Sequence, residues 1–229
     1  MAEPLVIFDL DGTLLDTAPD LIASLNHVMD LSGHAHVTFE DITWLVGQGA
    51  LAMIERAWSL HGHPASPEQL HTAFDAFLVH YADNMPGRSQ PYPGLIAALD
   101  RLEVAGMRLA VCTNKTEALA RRLLDRLDLT SRFAAITGGD TFPVKKPHGD
   151  HILRTIERAG GTAENAVMIG DSINDILAAQ NARVPAIGVP FGYSDKPVET
   201  FNPDVVIDHF DKLDAALIKR LVQEAASAR

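Results

Sequence analysis

Leu5-Val6-Ile7-Phe8-Asp9-Leu10-Asp11-Gly12-Thr13, LVIFDLDGT, sets two acids one residue apart at the end of an apolar run close to the start of the chain. Four consecutive apolar residues with no polar alternation read as a short strand buried on both faces, and Gly12 supplies the backbone freedom for a tight exit. Asp9 and Asp11 are therefore expected at the carboxyl end of a strand.

The second half of the chain alternates apolar, strand-like runs with helical segments, the pattern of a parallel sheet covered by crossover helices. Further strands are expected at 107–112, 134–137, 166–169, 186–189 and 205–207, with helices at 95–104, 117–127, 151–158 and 176–181. Residues 17–87 read differently, with helical periodicity and no convincing strand. Leu21, Leu25, Val28 and Met29 form one apolar stripe, with Gly33 as its stop. Ser66-Pro67-Glu68-Gln69 opens another helix, whose apolar face runs through Leu70, Phe74, Phe77, Leu78 and Tyr81. The expected organisation is a discontinuous α/β core, 1–16 and 88–229, interrupted by a helical domain at 17–87.

The 229 residues suffice for one substantial core plus a satellite domain. A net charge of -11 opposes sequence-independent binding of nucleic acid and suits a monomer or small homo-oligomer. Cys112 alone can form no internal disulfide, and the amino end lacks the pattern of a secretory signal, so a cytoplasmic address is expected. No apolar run approaches the roughly 20 residues that a membrane helix needs.

Parallel strands gather functional groups at their carboxyl ends. Here those ends carry Asp9 and Asp11, then Thr113-Asn114, then Lys145-Lys146-Pro147 in the connection before the fourth strand, then Gly170-Asp171-Ser172-Ile173-Asn174-Asp175. One such acid pair alone is an ordinary turn former. Four strand ends carrying this set have no explanation in turn chemistry. Acids so concentrated need a cation, and hard carboxylate oxygens suit Mg²⁺, which takes about six oxygen ligands at roughly 2.1 Å. Thr, Asn and Lys supply donors for a phosphate, so the set predicts metal-assisted phosphoryl chemistry.

With DxDGT at 9–13, TN at 113 and 114, KP at 146 and 147 and GDSxxD at 170–175, the chain resembles the haloacid dehalogenase superfamily of phosphohydrolases over nearly its whole length. The resemblance implies a Rossmann-like doubly wound parallel sheet with an inserted α-helical cap. Within the superfamily the chain is most similar to the phosphoglycolate phosphatase group, whose cap carries a turn like Gly47-Gln48-Gly49. By that resemblance Asp9 attacks phosphorus as an already ionised carboxylate and forms an aspartyl-phosphate. Asp11 protonates the leaving oxygen and then deprotonates the hydrolytic water. Mg²⁺ is held by Asp9, the backbone carbonyl of Asp11 and Asp171, with Asp175 as a further ligand or a supporting acid. Thr113 and Asn114 bind phosphoryl oxygens, and Lys146 neutralises the intermediate. Where the family often has a second proline after the lysine, this chain has Gly149, which predicts a looser lysine loop and leaves Lys145 as a competitor for Lys146.

In the cap, Gly47 and Gly49 are either helix punctuation or a turn lowered onto the substrate. Arg56 is either an exposed helix arginine paired with an acid or the cation that reads a second anionic group on the substrate. Seven of the ten histidines fall between His27 and His80, but His61 and His63 lack the companions of a transition-metal site and are expected in surface or packing roles. Cys112 is expected to pack, as are Trp44 and Trp58 between cap helices. The leading expectation is a Mg²⁺-dependent phosphatase for a small phosphorylated metabolite, with 2-phosphoglycolate first. The alternatives are a phosphosugar mutase, a phosphatase for a sugar phosphate, nucleotide or pyrophosphate, and, remotely, a non-catalytic binding module. A dehalogenase would not need Asp11, and a phosphonate hydrolase would need a cap lysine, whereas no lysine precedes Lys115.

Overall fold

The structure is a computed structural model that describes residues 3–62 and 64–227, the side chains of Thr43 and Trp44 excepted. The first run forms strand β1 (Leu5–Phe8), followed by a two-residue strand β2 (Leu15–Asp16). Helices α1 (Ala18–Leu31), α2 (Phe39–Ile42), α3 (Ala50–Leu60) and α4 (Pro67–Asn84) come next, with a 3-10 turn at Thr43–Gln48 between α2 and α3. The chain returns through β3 (Gln90–Pro91) and continues as α5 (Leu95–Val104), β4 (Arg108–Cys112), α6 (Glu117–Arg126), β5 (Ala135–Thr137), α7 (Gly149–Arg158), β6 (Ala166–Gly170), α8 (Ile173–Ala182), β7 (Ala186–Gly188), β8 (Val205–Val206) and α9 (Ala215–Ser227).

Six strands make one parallel sheet in the order β5-β4-β1-β6-β7-β8. Because β1 lies between β4 and β6, the crossovers on its two sides run in opposite directions, and a crevice opens at its carboxyl end. The register levels the strand ends there: Phe8 pairs with both Val111 and Ile169, so Asp9 comes level with Cys112 and Gly170, and Thr113 and Asp171 follow one residue beyond. Both faces of the sheet are covered. Val6, Phe8, Leu109, Val111 and Ile169 share one core with α5, α6 and α9, while Leu5, Ile7, Ala110, Cys112 and Met168 share the other with α7 and α8. Double coverage is why these strands are continuously apolar. The architecture is the Rossmann-like α/β fold that the motifs imply.

The helical segment between β2 and β3 packs as its stripe predicts: Leu21, Leu25, Val28 and Met29 of α1 are buried, as are Phe77 and Tyr81 of α4. Ser66 caps α4, its hydroxyl accepting from Gln69 N while Gln69 Oε1 accepts from Ser66 N. Trp58 is buried in this layer, and Cys112 is buried beneath the sheet edge; the side chains of Trp44 and His63 lie outside the described residues.

Three features were not read from the sequence. The pair β2 and β3, joined antiparallel through Leu15 to Pro91 and Asp16 to Gln90, is too short to show periodicity. Helix α9 was passed over. Helix α8 begins three residues earlier than expected, since the Ser172 amide and hydroxyl both donate to Asp175 Oδ2 and organise the first turn there. Gly149 also has a packing reason. A Cβ at that position would lie 2.7 Å from the backbone of Asn181, so α7 and α8 approach through a glycine. The lysine loop is not loose, because Asn181 Nδ2 donates to Pro147 O and Lys146 N donates to His151 Nδ1.

Candidate active site

The end of β1 delivers Asp9, and the tight exit through Gly12 keeps the backbone against the loop after β6. A Cβ on Gly12 would lie 2.5 Å from Asp171 Oδ2, and the φ of +85° suits glycine, so this turn requires the residue the motif provides. Asp171 in turn is held by two donors, Thr13 Oγ1 at 2.8 Å and Tyr193 N at 2.8 Å. One oxygen from each of Asp9, Asp171 and Asp175 falls within 4.8 Å of the others, and all three side chains are buried. Lys146, only 2% exposed, places Nζ 2.6 Å from Asp175 Oδ1 and 2.7 Å from Asp9 Oδ1. The inward lysine is therefore Lys146, while Lys145 is exposed at the rim of the neighbouring cavity.

Three buried carboxylates with one lysine among them leave excess negative charge in a medium that solvates it poorly. Burial, then the nearby Asp175, pushes the Asp9 carboxyl well above the usual range, and burial with Asp175 raises Asp171 to about 7. Asp9 is thus not the unperturbed carboxylate assumed from sequence: it needs cations around it to stay ionised. Asp9 Oδ1 is compensated by the Lys146 ammonium at 2.7 Å, which it shares with Asp175. Three buried carboxylates sharing one ammonium form a set of hard oxygen donors that fits a divalent cation such as Mg²⁺. Both oxygens of Asp175 are engaged, by Lys146 and by Ser172, which suits a supporting acid.

The Asp11 carboxylate does not join this group. Oδ1 accepts from Thr17 Oγ1 at 2.7 Å and from Lys115 Nζ at 2.9 Å, with Oδ2 3.1 Å from the same ammonium. Lys115 Nζ also lies 4.5 Å from the centroid of the Tyr81 ring, so α4 of the helical segment covers the acid from above. Lys115, Tyr81, Thr13 and Tyr193 were not singled out as site residues from sequence. Lys115 and Thr13 adjoin motif residues, which was the available signal; Tyr81 was read as packing, and Tyr193 lies in a loop without a pattern.

Thr113 is buried at the end of β4, its Oγ1 accepting from Lys115 N, and Asn114 Nδ2 donates to Lys146 O. Gly47 and Gly49 sit above them. Gly47 O accepts from Asn114 Nδ2 at 3.3 Å and from Asn174 Nδ2 at 3.2 Å, so the 3-10 turn is docked on the core, and Gly49 has a φ of +102°. Between this turn, α4 and the end of β4 is a cavity of about 240 Å³ with Asp11, Asn114, Lys115 and Tyr81 in its wall together with Met53, Phe74 and Phe77. Arg56 is not brought to it. That side chain is exposed on α3, and Asp41, held low chiefly by the amide and hydroxyl of Thr38, also feels its charge. The expected cap histidines stack in pairs, His27 on His80 and His34 on His61, and join no metal group among the described residues.

Comparison with known proteins agrees with this geometry. The family model described as haloacid dehalogenase-like hydrolase matches residues 6–189. The phosphoglycolate phosphatase of Agrobacterium fabrum strain C58 is 56% identical, the match covering 98% of this chain and 97% of that protein. The phosphoglycolate phosphatase of Mesorhizobium japonicum is 47% identical, covering 98% and 99%. Among solved structures, a predicted phosphoglycolate phosphatase from Haemophilus somnus 129PT superposes with a TM-score of 0.86 at 28% identity, covering 95% of this chain and 97% of that one.

Proposed function

From the premise that this chain belongs to the haloacid dehalogenase-like hydrolase family and is a phosphoric monoester hydrolase, we propose that it cleaves a small phosphate monoester, 2-phosphoglycolate before others, with Mg²⁺ and through an aspartyl-phosphate on Asp9. The observation that carries the reading is the buried group of Asp9, Asp171 and Asp175 with the single ammonium of Lys146 shared between Asp9 and Asp175. Asp9 Oδ attacks phosphorus, the bond to the leaving oxygen breaks, and Asp11 gives that oxygen its proton. Asp11, now the base, takes a proton from the water that attacks the aspartyl-phosphate, and inorganic phosphate departs as Asp9 is regenerated. Thr113 and Asn114 offer hydrogen bonds to phosphoryl oxygens, and Lys146 keeps both Asp9 and the transferred group compensated. Asp9, Asp171 and the Asp11 carbonyl would hold Mg²⁺, with Asp175 in support; the cation supplies charge neutralisation of nucleophile and phosphate.

Residues 17–87 act as the cap on the core formed by 1–16 and 88–229, and Gly47 and Gly49 form the turn it lowers over the substrate. The chain works on a free metabolite, without nucleic acid or membrane, in the cytoplasm and as a monomer or small homo-oligomer; among the described residues no helix is long and apolar enough to cross a membrane. The test is phosphate release with Mg²⁺ from phosphoglycolate, sugar phosphates, nucleotides and pyrophosphate, beside melting curves with Mg²⁺ or chelator. Phosphoglycolate is expected to lead and Mg²⁺ to raise the melting temperature. An isomerised sugar phosphate in place of inorganic phosphate would make the chain a mutase, and no response of melting to any divalent ion would remove the metal from the scheme.

A further inference from the structure

We propose that Lys115 is the residue that reads a carboxylate on the leaving group of the substrate, and so makes the site selective for small carboxylate-bearing phosphate monoesters. The inference rests on the phosphomonoesterase reading above and assigns its specificity. The helical segment has no lysine, and Arg56 and Arg88 are both exposed and neither lines the cavity. Of the two lysines in the cavity wall, Lys145 is exposed at the rim. Lys115 is the buried one, with a side chain 6% exposed, and Nζ 2.9 Å from Asp11 and 4.5 Å from the centroid of the Tyr81 ring. Burial pulls its pKa down, but Asp11 and Tyr81 more than restore it, so the group stays an ammonium.

The position follows from the chemistry that Asp11 performs. In a 2-phosphocarboxylate the carboxylate carbon is two bonds from the oxygen that must be protonated, so whichever way the ester lies, its carboxylate arrives beside Asp11. Two carboxylates in a small, largely apolar cavity repel strongly unless a cation touches both. Met53, Phe74 and Phe77 in the cavity wall offer an anion nothing, whereas an ammonium has three donors and a rotatable stem. Lys115 can keep a hydrogen bond to Asp11 while giving another to the ligand. A neutral ester of the same size would leave that donor unused and lacks the compensation, which is the basis of discrimination.

The experiment compares kcat/KM for phosphoglycolate with that for ethyl phosphate in the wild type, Lys115→Met and Lys115→Arg, each first checked for folding by circular dichroism. The wild type is expected to favour phosphoglycolate, and Lys115→Met to lower the ratio by about 10 to 100-fold, the worth of a charged hydrogen bond, with Lys115→Arg recovering part of it. An equal loss on both esters would overturn the proposal and leave Lys115 a positioning residue for Asp11; a wild type without preference would overturn it too. If Lys115→Met does not fold, binding to the wild type decides: 3-phosphonopropionate is expected to inhibit and to raise the melting temperature more than propylphosphonate does, and equal effects would overturn the assignment. Failure of the phosphomonoesterase reading would look different, since then neither ester would be hydrolysed although the binding comparison would still judge Lys115.

Discussion

Asp9 and Asp11 are separated by one residue, yet the structure gives them opposite surroundings. Burial first, then Asp175 and Asp171, raise the pKa of Asp9 against the pull of Lys146, while Asp11 turns to Thr17 and Lys115. In the proposed mechanism one carboxylate attacks and the other holds and passes a proton. Replacing Asp9 by Asn removes the nucleophile with little change of shape, so turnover is expected to fall to background on every ester. Asp11→Asn is expected to slow turnover by about 10² to 10⁴-fold for a poor leaving group and far less for a good aryl one, since only the former needs its proton. Equal losses for the two kinds of ester would contradict the acid role. Arg56, exposed and clear of the cavity, is expected to be replaceable by Ala with less than about a twofold change in selectivity for a carboxylate-bearing ester. A larger loss, confined to that ester, would return the reading of the carboxylate to Arg56.

Between the elements, the joint from sheet to helical segment is built from side chains of both. Asp20 in the first turn of α1 accepts from Arg88 N, Ser89 N and Ser89 Oγ, binding the outgoing and returning strands of the joint together. Gly87 has a φ of +51°, and a Cβ there would lie 2.4 Å from Asp20 Oδ1, so the turn around the carboxylate requires glycine. From the core side, Tyr193 Oη donates to Asp16 and accepts from Thr17 N and Ala18 N, while its own amide holds Asp171. One residue thus ties the start of α1 to an acid of the site. Asp20→Ala strands the amides of Arg88 and Ser89 and the buried Ser89 hydroxyl, and a loss of about 1 to 3 kcal/mol in denaturant unfolding is expected. An unchanged midpoint would show that water replaces the carboxylate at no cost.

At the scale of the whole molecule, the turn at Gly47 is docked on Asn114 and Asn174 over the end of the sheet, and the proposed cap is expected to lift to admit substrate. Opening is expected to hinge at residues 16–17 and 87–91. With Mg²⁺ and beryllium fluoride standing in for the phosphoryl group on Asp9, small-angle scattering is expected to report a smaller radius than the free protein; equal radii would defeat the closure idea. Stability has its own pH dependence. His151 is buried beside the Lys146 charge, and burial first, then that charge, lowers its pKa from 6.5 to about 4. The unfolded chain therefore binds the extra proton between those values. Its contribution is complete above about pH 6.5 and lost as pH falls toward 4, about 3 kcal/mol in all. Asp9 and Asp171, with raised pKa values, act in the opposite sense, favouring the fold at low pH and costing stability as pH rises through their folded values. The difference between wild type and His151→Asn isolates the histidine. The variant is expected to lose one proton's worth of slope in unfolding free energy between pH 6.5 and 4, and parallel curves would refute the assignment.

Local pattern alone determined the parallel strands and the positions of the acids, because a strand buried on both faces must be continuously apolar and its catalytic residues must follow it at once. Leu5–Phe8 was read to the residue, as was the helix Leu95–Val104, and Asp9, Asp11, Thr113, Asn114, Lys146, Asp171 and Asp175 all come to one edge of the sheet. Two-residue strands such as β2 and β3 hold no period to read, and the early start of α8 depends on where Ser172 and Asp175 meet. Which cation faces the cavity was beyond the sequence: Arg56 and Lys115 are both single basic residues near a motif, and the packing of α3 and α4 over the end of β4 exposes one and buries the other. The same packing brings Tyr81 to Lys115 across 34 residues and Tyr193 to Thr17 across 176, and it turns Asp9 from an ordinary carboxylate into one that burial and its neighbours hold above its usual range. Residue types and short spacings are written in the chain, but burial and charge proximity arise only when distant segments share one low-dielectric space.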